Sequence, residues 1–344
     1  MKIIEAKASI KPLWEDFNKK SRYSSFLESF SWGDFQKTEK IDNLRLALEE
    51  TQLKGGFDAK AHLVGIAQIF KHPLPLGKSY LYIPHGPIID EKVDEEEALN
   101  LLIGKIKQVA KAERSIFVLA EPKQNFDQIQ MLKKSNKHIQ AETTLILDIS
   151  PSKKEILAQM KSKTRYNIGL AQRKGIKISV AKNLEDISIF INLAKETSER
   201  DEFKLHPDNY YRDMIKYLSN ENMIELLLAK YKNKYVAAIL VVYYGDTATY
   251  LHGASSYKYR RLMAPNLLQW KAIKRAKKKG CTKYDFWGVT TNPDPNHHWA
   301  GFTRFKFGFS PNTAITEYPG PYECIFNPIS ALGYKTMQKI LGRR

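Results

Sequence analysis

Cysteine is nearly missing from this chain: Cys281 and Cys324 are the two thiols in 344 residues. That excludes a disulfide framework, and neither thiol has the spacing of a zinc ligand, so a packed core in a reducing compartment is expected. Long apolar runs are missing too. The longest, Tyr235–Tyr244, lies between Lys234 and Asp246 and is about half of what a bilayer-crossing helix needs. The amino-terminal Met-Lys-Ile-Ile-Glu-Ala-Lys has no apolar centre of a secretory signal, and a cytoplasmic location is the expectation. No Gly-x-x-x-x-Gly-Lys-Ser/Thr loop occurs, so ATP hydrolysis is not supported. His297-His298 has only Asp294 at ligand spacing and reads as a loop pair without a metal. Ser198 and Ser255 lack the His and Asp partners of a nucleophilic triad. Acid is the remaining shortage. Asp plus Glu number 37 against 55 Lys plus Arg, a net charge of +18 and a pI near 9.5. Such a surplus favours polyanionic partners: RNA, phosphorylated metabolites or an anionic membrane face.

What is present is enough apolar residue, 43%, for two or three packed domains of ~100–200 residues each. Periodicity predicts helices over Lys11–Lys20 and Trp32–Glu39, then strands over Leu44–Glu49, Leu63–Phe70 and Tyr80–Ile83. A polar connection containing Gly55-Gly56 separates the first two strands. A helix follows over Glu95–Lys111, a strand over Ser115–Ala120, a helix over Phe126–Lys134 and a strand over Thr143–Ile149. A similar order recurs: helix Asp186–Glu199, hairpin Ile224–Tyr231 with Tyr235–Tyr244, strand Ala248–Ala254, helix Asn266–Lys279, strand Lys283–Gly288, a Phe-rich helix and strand Thr313–Tyr318. Two halves with strands, helix, strand, helix, strand point to an α+β chain of two tandem domains. Each has the mixed-sheet order of the N-acyltransferase (GNAT) fold. We expect residues 1–150 with 316–344 in the first domain and 151–315 in the second.

Two stretches carry chemistry. Gly301-Phe-Thr-Arg-Phe-Lys-Phe-Gly-Phe309 holds four phenylalanines, Arg304 and Lys306. As a helix it sets Phe302, Phe305 and Phe309 on one face with Lys306 beside them. Lys306 is then either a solvated edge or an ammonium held among rings and aimed at an oxyanion. Ser152–Gly175 carries Lys161, Lys163, Arg165, Arg173 and Lys174, with Ile156, Met160, Ile168 and Ala171 as a buried stripe. Its basic face is either a solvated linker or a track for a phosphate backbone. Ala331–Arg344 reads as a short basic helix, a weak anchor for an anionic membrane surface.

Several segments together resemble the Fem family of bacterial aminoacyltransferases, which use aminoacyl-tRNA to build the interpeptide bridge of peptidoglycan. They are Phe26-Leu-Glu-Ser-Phe-Ser-Trp-Gly-Asp-Phe-Gln36, Tyr82-Ile-Pro-His-Gly-Pro87, Thr164-Arg-Tyr-Asn-Ile168 with Lys174-Gly175, Tyr250-Leu-His-Gly-Ala-Ser255, Tyr284-Asp-Phe-Trp-Gly288 and Phe305-Lys306. No heptad-rich helical arm interrupts the second half, so the chain resembles the compact, FemX-like members.

The resemblance implies that the end of the chain returns to the first domain. It implies ester aminolysis: a stem-peptide amine attacks the ester of aminoacyl-tRNA, the co-substrate, with no resident cofactor, ATP or metal. The acceptor is UDP-MurNAc-pentapeptide or lipid II. In that scheme Lys306 faces the oxyanion and Phe305 stacks on the terminal adenosine. Lys161, Lys163 and Arg165 follow the tRNA backbone. Lys37, Tyr82, Arg200, Tyr210 and Tyr250 bind the precursor, and Asp90, after the Tyr82–Pro87 turn, is the candidate base. A monomer with peripheral contact to the inner membrane face is expected. The rival is an N-acyltransferase of the same fold using acyl-CoA. It wants a Gly-rich turn where this chain reads Tyr259-Arg-Arg-Leu-Met-Ala-Pro265.

Overall fold

In the computed structural model, which describes residues 1–51 and 61–340, two mixed sheets organise the chain. The Gly55-Gly56 connection lies outside the described residues. The first unit is Met1–Glu142 with Tyr318–Arg344, the second Thr143–Glu317.

The first unit opens with Lys2–Glu5 (β1), Lys11–Lys20 (α1), Phe30–Thr38 (α2), Asp42–Thr51 (β2) and Ala61–Leu74 (β3). Lys78–His85 (β4), Ile88–Ile89 (β5), Glu95–Ala112 (α3), Ser115–Pro122 (β6) and Lys133–Lys134 (β7) follow. Helix α3 starts where Asp94 accepts the Glu97 N–H at 2.8 Å and three glutamates occupy the first turn, which suits the helix dipole. Its Leu99, Leu102, Ile103 and Ile106 are buried.

The second unit holds Thr143–Asp148 (β8), Lys153–Gln159 (α4), Ser162–Arg173 (α5), Lys177–Val180 (β9), Ile187–Asp201 (α6) and Asp208–Ser219 (α7). It continues through Ile224–Tyr231 (β10), Lys234–Tyr244 (β11), Thr247–Ser255 (β12), Ala264–Lys278 (α8), Lys283–Gly288 (β13), Ala300–Phe307 (α9) and Thr316–Glu317 (β14). The chain then returns to the first unit as Tyr322–Ile325 (β15) and Pro328–Ile340 (α10).

The first sheet runs β1-β2-β3-β4-β6-β15-β7, with β5 also on β3; the second runs β14-β8-β13-β12-β11-β10-β9. Each has one parallel pair, β4 with β6 and β12 with β13, and the rest antiparallel. A parallel pair needs a crossover, and α3 and α8 supply it.

The sequence reading differs in five places. Thr143–Asp148, assigned there to the end of the first domain, pairs with β13 and β14 in the second sheet. Phe126–Lys134 is not a helix: Phe126 and Ile129 are buried anchors of a turn segment whose end, β7, pairs with β15. Ser152–Gly175 is two helices, broken where Met160 and Lys161 are extended. Thr313–Tyr318 narrows to β14. The C-terminal helix starts at Pro328, and residues 341–344 lie outside the description. Strands β1, β5, β7, β9 and β15 and helix α7 had no expectation. No helix among the described residues is long and apolar enough to cross a membrane.

Candidate active site

Helix α9 is the Phe-rich segment, and its packing turns Lys306 inward. Phe309 is fully buried and meets Phe286 and Phe305 at 5.3 Å each. Lys306 is only 6% exposed. Its Nζ lies 4.7 Å from the Phe302 ring centre and 5.9 Å from that of Tyr250. It donates to the Gly288 carbonyl and, at 3.4 Å, to that of Trp287.

Those carbonyls face the amine because Trp287, the last residue but one of β13, is left-handed at φ 60°. Asp285 holds that turn. It is buried, accepts the Trp287 N–H at 2.7 Å and accepts a hydrogen bond from the Thr144 hydroxyl. Burial pulls the Lys306 amine down to about 7, opposed by the Asp285 charge. A lysine there changes protonation near neutral pH, so it can donate a proton and take one back.

Beside α9 stands the start of α5. The Lys161 N–H donates to the Gly308 carbonyl at 2.9 Å. Lys161 and Lys163 are exposed next to this junction. Arg165 is engaged within the fold, donating to the Ala158 carbonyl at 3.1 Å and to that of Met160, where it closes the last turn of α4. Phe305 is half-buried against the core of the second unit, whereas Phe302 keeps 38% of its surface open.

The Tyr250 hydroxyl is pushed up to about 12 by burial, with a Gln269 hydrogen bond opposing. A Cβ at Gly253 would come within 1.9 Å of that hydroxyl, so glycine makes room for it. Arg200 forks onto Asp201 at 2.7 and 2.6 Å and donates to the Ser255 carbonyl at 3.1 Å. Tyr210 stacks on His206 with ring centres 3.9 Å apart.

The other sequence candidates belong to the first unit. Lys37 is exposed, 3.9 Å from Asp34. Tyr82 is buried and donates to the Glu121 carboxylate, which also accepts the Ile139 and Gln140 N–H groups at 2.8 and 3.0 Å. Burial raises the pKa of both the Tyr82 phenol and the Glu121 carboxyl. Asp90 is half-buried on the wall of a groove of about 490 Å³ with Arg22, Tyr23 and Glu91, and accepts the Lys92 N–H at 3.1 Å.

The structure thus brings Lys306, Tyr250 and the Lys161 backbone to α9. It adds Asp285, Trp287, Gly288 and Phe302, which the sequence reading did not select. An acid inside the apolar strand Tyr284-Asp-Phe-Trp was a readable sign; the Trp287 turn had none. Among the described residues no three His, Cys, Asp or Glu side chains group as metal ligands, and His297 stacks on His298 at 4.5 Å.

The sequence profile of the FemAB family matches residues 13–148, 131–234 and 220–339. The lipid II:glycine glycyltransferase of Staphylococcus epidermidis is 23% identical over 389 aligned residues, covering 90% of this chain and 90% of its own. The Staphylococcus aureus protein of the same name is 24% identical over 346, covering 76% and 81%. Among solved structures, FemX superposes with a TM-score of 0.83 at 21% identity, covering 96% of this chain and 99% of that one. A tandem GNAT protein from the clavulanic acid biosynthesis pathway reaches 0.55 at 10% identity, covering 95% and 99%. The architecture is accordingly two tandem GNAT-like domains.

Proposed function

The chain belongs to the FemAB family, and from that premise we propose that it transfers an amino acid from aminoacyl-tRNA to the stem-peptide amine of a peptidoglycan precursor. The family places it among the aminoacyltransferases of cell-wall bridge formation. The names of its relatives favour lipid II over UDP-MurNAc-pentapeptide as acceptor.

The acceptor nitrogen attacks the ester carbonyl carbon, and the carbonyl electrons become an oxyanion. Lys306, as ammonium, stabilises that charge in a site shielded by Phe302 and Tyr250. Collapse forms the amide and breaks the ester C–O bond. The ribose oxygen leaves with a proton, and the new amide nitrogen loses one. A lysine brought down to about 7 suits both transfers. Phe302, open to solvent beside Lys306, offers the terminal adenosine a better stacking face than Phe305. Lys161 and Lys163 follow the tRNA phosphates. The single observation that carries this reading is the buried, readily deprotonated Lys306 amine.

The test is a transfer assay with a mixed pool of charged tRNAs and both acceptors, without ATP and with a chelator present. Label is expected in one acceptor and is expected to vanish on nuclease treatment. Acetyl transfer from acetyl-CoA in the absence of tRNA would replace this reading with an acyl-CoA-dependent one.

A further inference from the structure

Among the described residues, the large apolar side chains left most open are Leu76 at 91%, Ile329 at 86% and Leu332 at 68%. All three sit at one end of the first sheet. Leu76 occupies the turn between β3 and β4. Three residues on, the Ser79 hydroxyl meets that of Ser115 at 2.6 Å, where β6 begins. The Phe326 and Asn327 N–H groups donate to the Ile116 carbonyl at 2.9 and 3.0 Å, so α10 starts at that same end. Ala331 and Tyr334 turn toward Tyr82, Phe117 and Leu119, with Leu74 and Tyr80 alongside. Ile329 and Leu332 therefore face outward.

Two further observations need explaining. Leu76 is left-handed, at φ 60°, a conformation that glycine or asparagine adopts at less cost. Among the described residues, nothing covers its side chain, which stays 91% exposed. The same end of the unit carries Lys71, Lys78, Lys111 and Arg114 against Asp42 and Glu113. One of those acids is already held, Glu113 by Lys71. Protruding aliphatic side chains ringed by excess cations are complementary to a lipid surface with anionic headgroups. A protein partner would be expected to meet a broader apolar face than three separate tips.

We propose that the β3–β4 turn and the start of α10 form a docking surface for an anionic bilayer. Leu76, Ile329 and Leu332 enter the headgroup region and the lysines and arginine lie against lipid phosphates. The inference goes beyond the transfer reaction and does not rest on it, although a lipid-linked acceptor would lie in such a surface.

The full chain is sedimented with vesicles of phosphatidylglycerol and phosphatidylcholine in equal parts, and with phosphatidylcholine alone. Binding is expected to the mixed vesicles, weakening with salt. The triple variant Leu76→Asn, Ile329→Ser, Leu332→Ser is expected to bind ~10-fold or more weakly with unchanged thermal unfolding. A separate Leu76→Trp variant is expected to shift its emission to the blue when mixed vesicles are added. Equal binding by the triple variant, an unshifted Trp emission, or a wild-type dimer in the ultracentrifuge that the triple variant abolishes would each overturn the proposal. The triple variant should retain wild-type transfer to a detergent-solubilised acceptor. If no transfer is seen at all, the vesicle result still stands or falls by itself.

Discussion

An amine withdrawn from water resists protonation, and Lys306 shows what that resistance does to stability as well as to chemistry. Unfolded, it titrates at the ordinary 10.5; folded, at about 7. Between those values the unfolded chain binds a proton that the folded chain does not, so the Lys306 contribution to stability rises with pH across the window. Below about 7 both states hold the proton and the burial penalty is complete. Lys306→Met removes this slope. Calorimetry should find the Tm of the variant, relative to wild type, highest below pH 7 and falling steadily toward pH 10. A gap that does not change with pH would mean that the amine is not desolvated. The same variant should lose ~10²–10³-fold in kcat, the usual loss of one oxyanion donor, with KM little altered. Spacing left Lys306 either a solvated edge or a held ammonium, and only the family resemblance made its place among the rings legible in the sequence. The carbonyls it meets were not, because they are aimed by a tryptophan in a left-handed conformation, and nothing in residue type announces that. Spacing did not separate Phe302 from Phe305, and the resemblance chose Phe305: helical spacing places rings on a face without saying which end of that face the core covers.

At the scale of elements, α5 and α9 meet through a glycine. A Cβ on Gly308 would lie 2.5 Å from Thr164 Oγ1 and 2.9 Å from the Phe305 carbonyl oxygen. The hydroxyl can rotate; the carbonyl belongs to the helix backbone and cannot. Gly308→Ala should therefore part the helices and cost ~1–3 kcal/mol, read as a lower Tm, with a fall in kcat because Lys306 is two residues away. Gly301→Ala in the same helix is the control. Nothing lies within 4 Å of its Cβ, and alanine should be neutral or stabilise by up to ~1 kcal/mol. Equal losses in the two variants would show that the close approach at Gly308 is not the cause. Single elements with strong periodicity, such as α3, α8 and the β10–β11 hairpin, were readable in sequence. Pairing was not. Thr143–Asp148 alternates well enough to be a strand, but alternation carries no address, and only the register with β13 and β14 places it in the second sheet. Phe126 and Ile129 have helical spacing yet anchor a turn, since two buried side chains three apart serve either purpose.

For the molecule as a whole, the chain's return was implied by family resemblance and by no feature of periodicity. Strand β15 is inserted between β6 and β7, far from both in sequence, so the first unit cannot complete its sheet until the last residues arrive. Tyr322 is fully buried there. Its hydroxyl accepts the Phe126 N–H at 3.2 Å and donates to Asp127 at 2.9 Å. Helix α10 covers Phe117 and Leu119 on the same sheet. A chain ending at Glu317 loses the strand and the helix together, leaving β6 with an open edge and an uncovered apolar surface, which favours aggregation. The second unit keeps every strand of its own sheet, because β8 to β14 all precede the cut. Hydrogen exchange read by mass spectrometry should therefore show protection kept through β10, β11 and β12 and lost through β3, β4 and β6. Protection of β6 equal to that in the full chain would mean that the first unit folds without its returning strand, and that the discontinuous unit is two independent pieces rather than one.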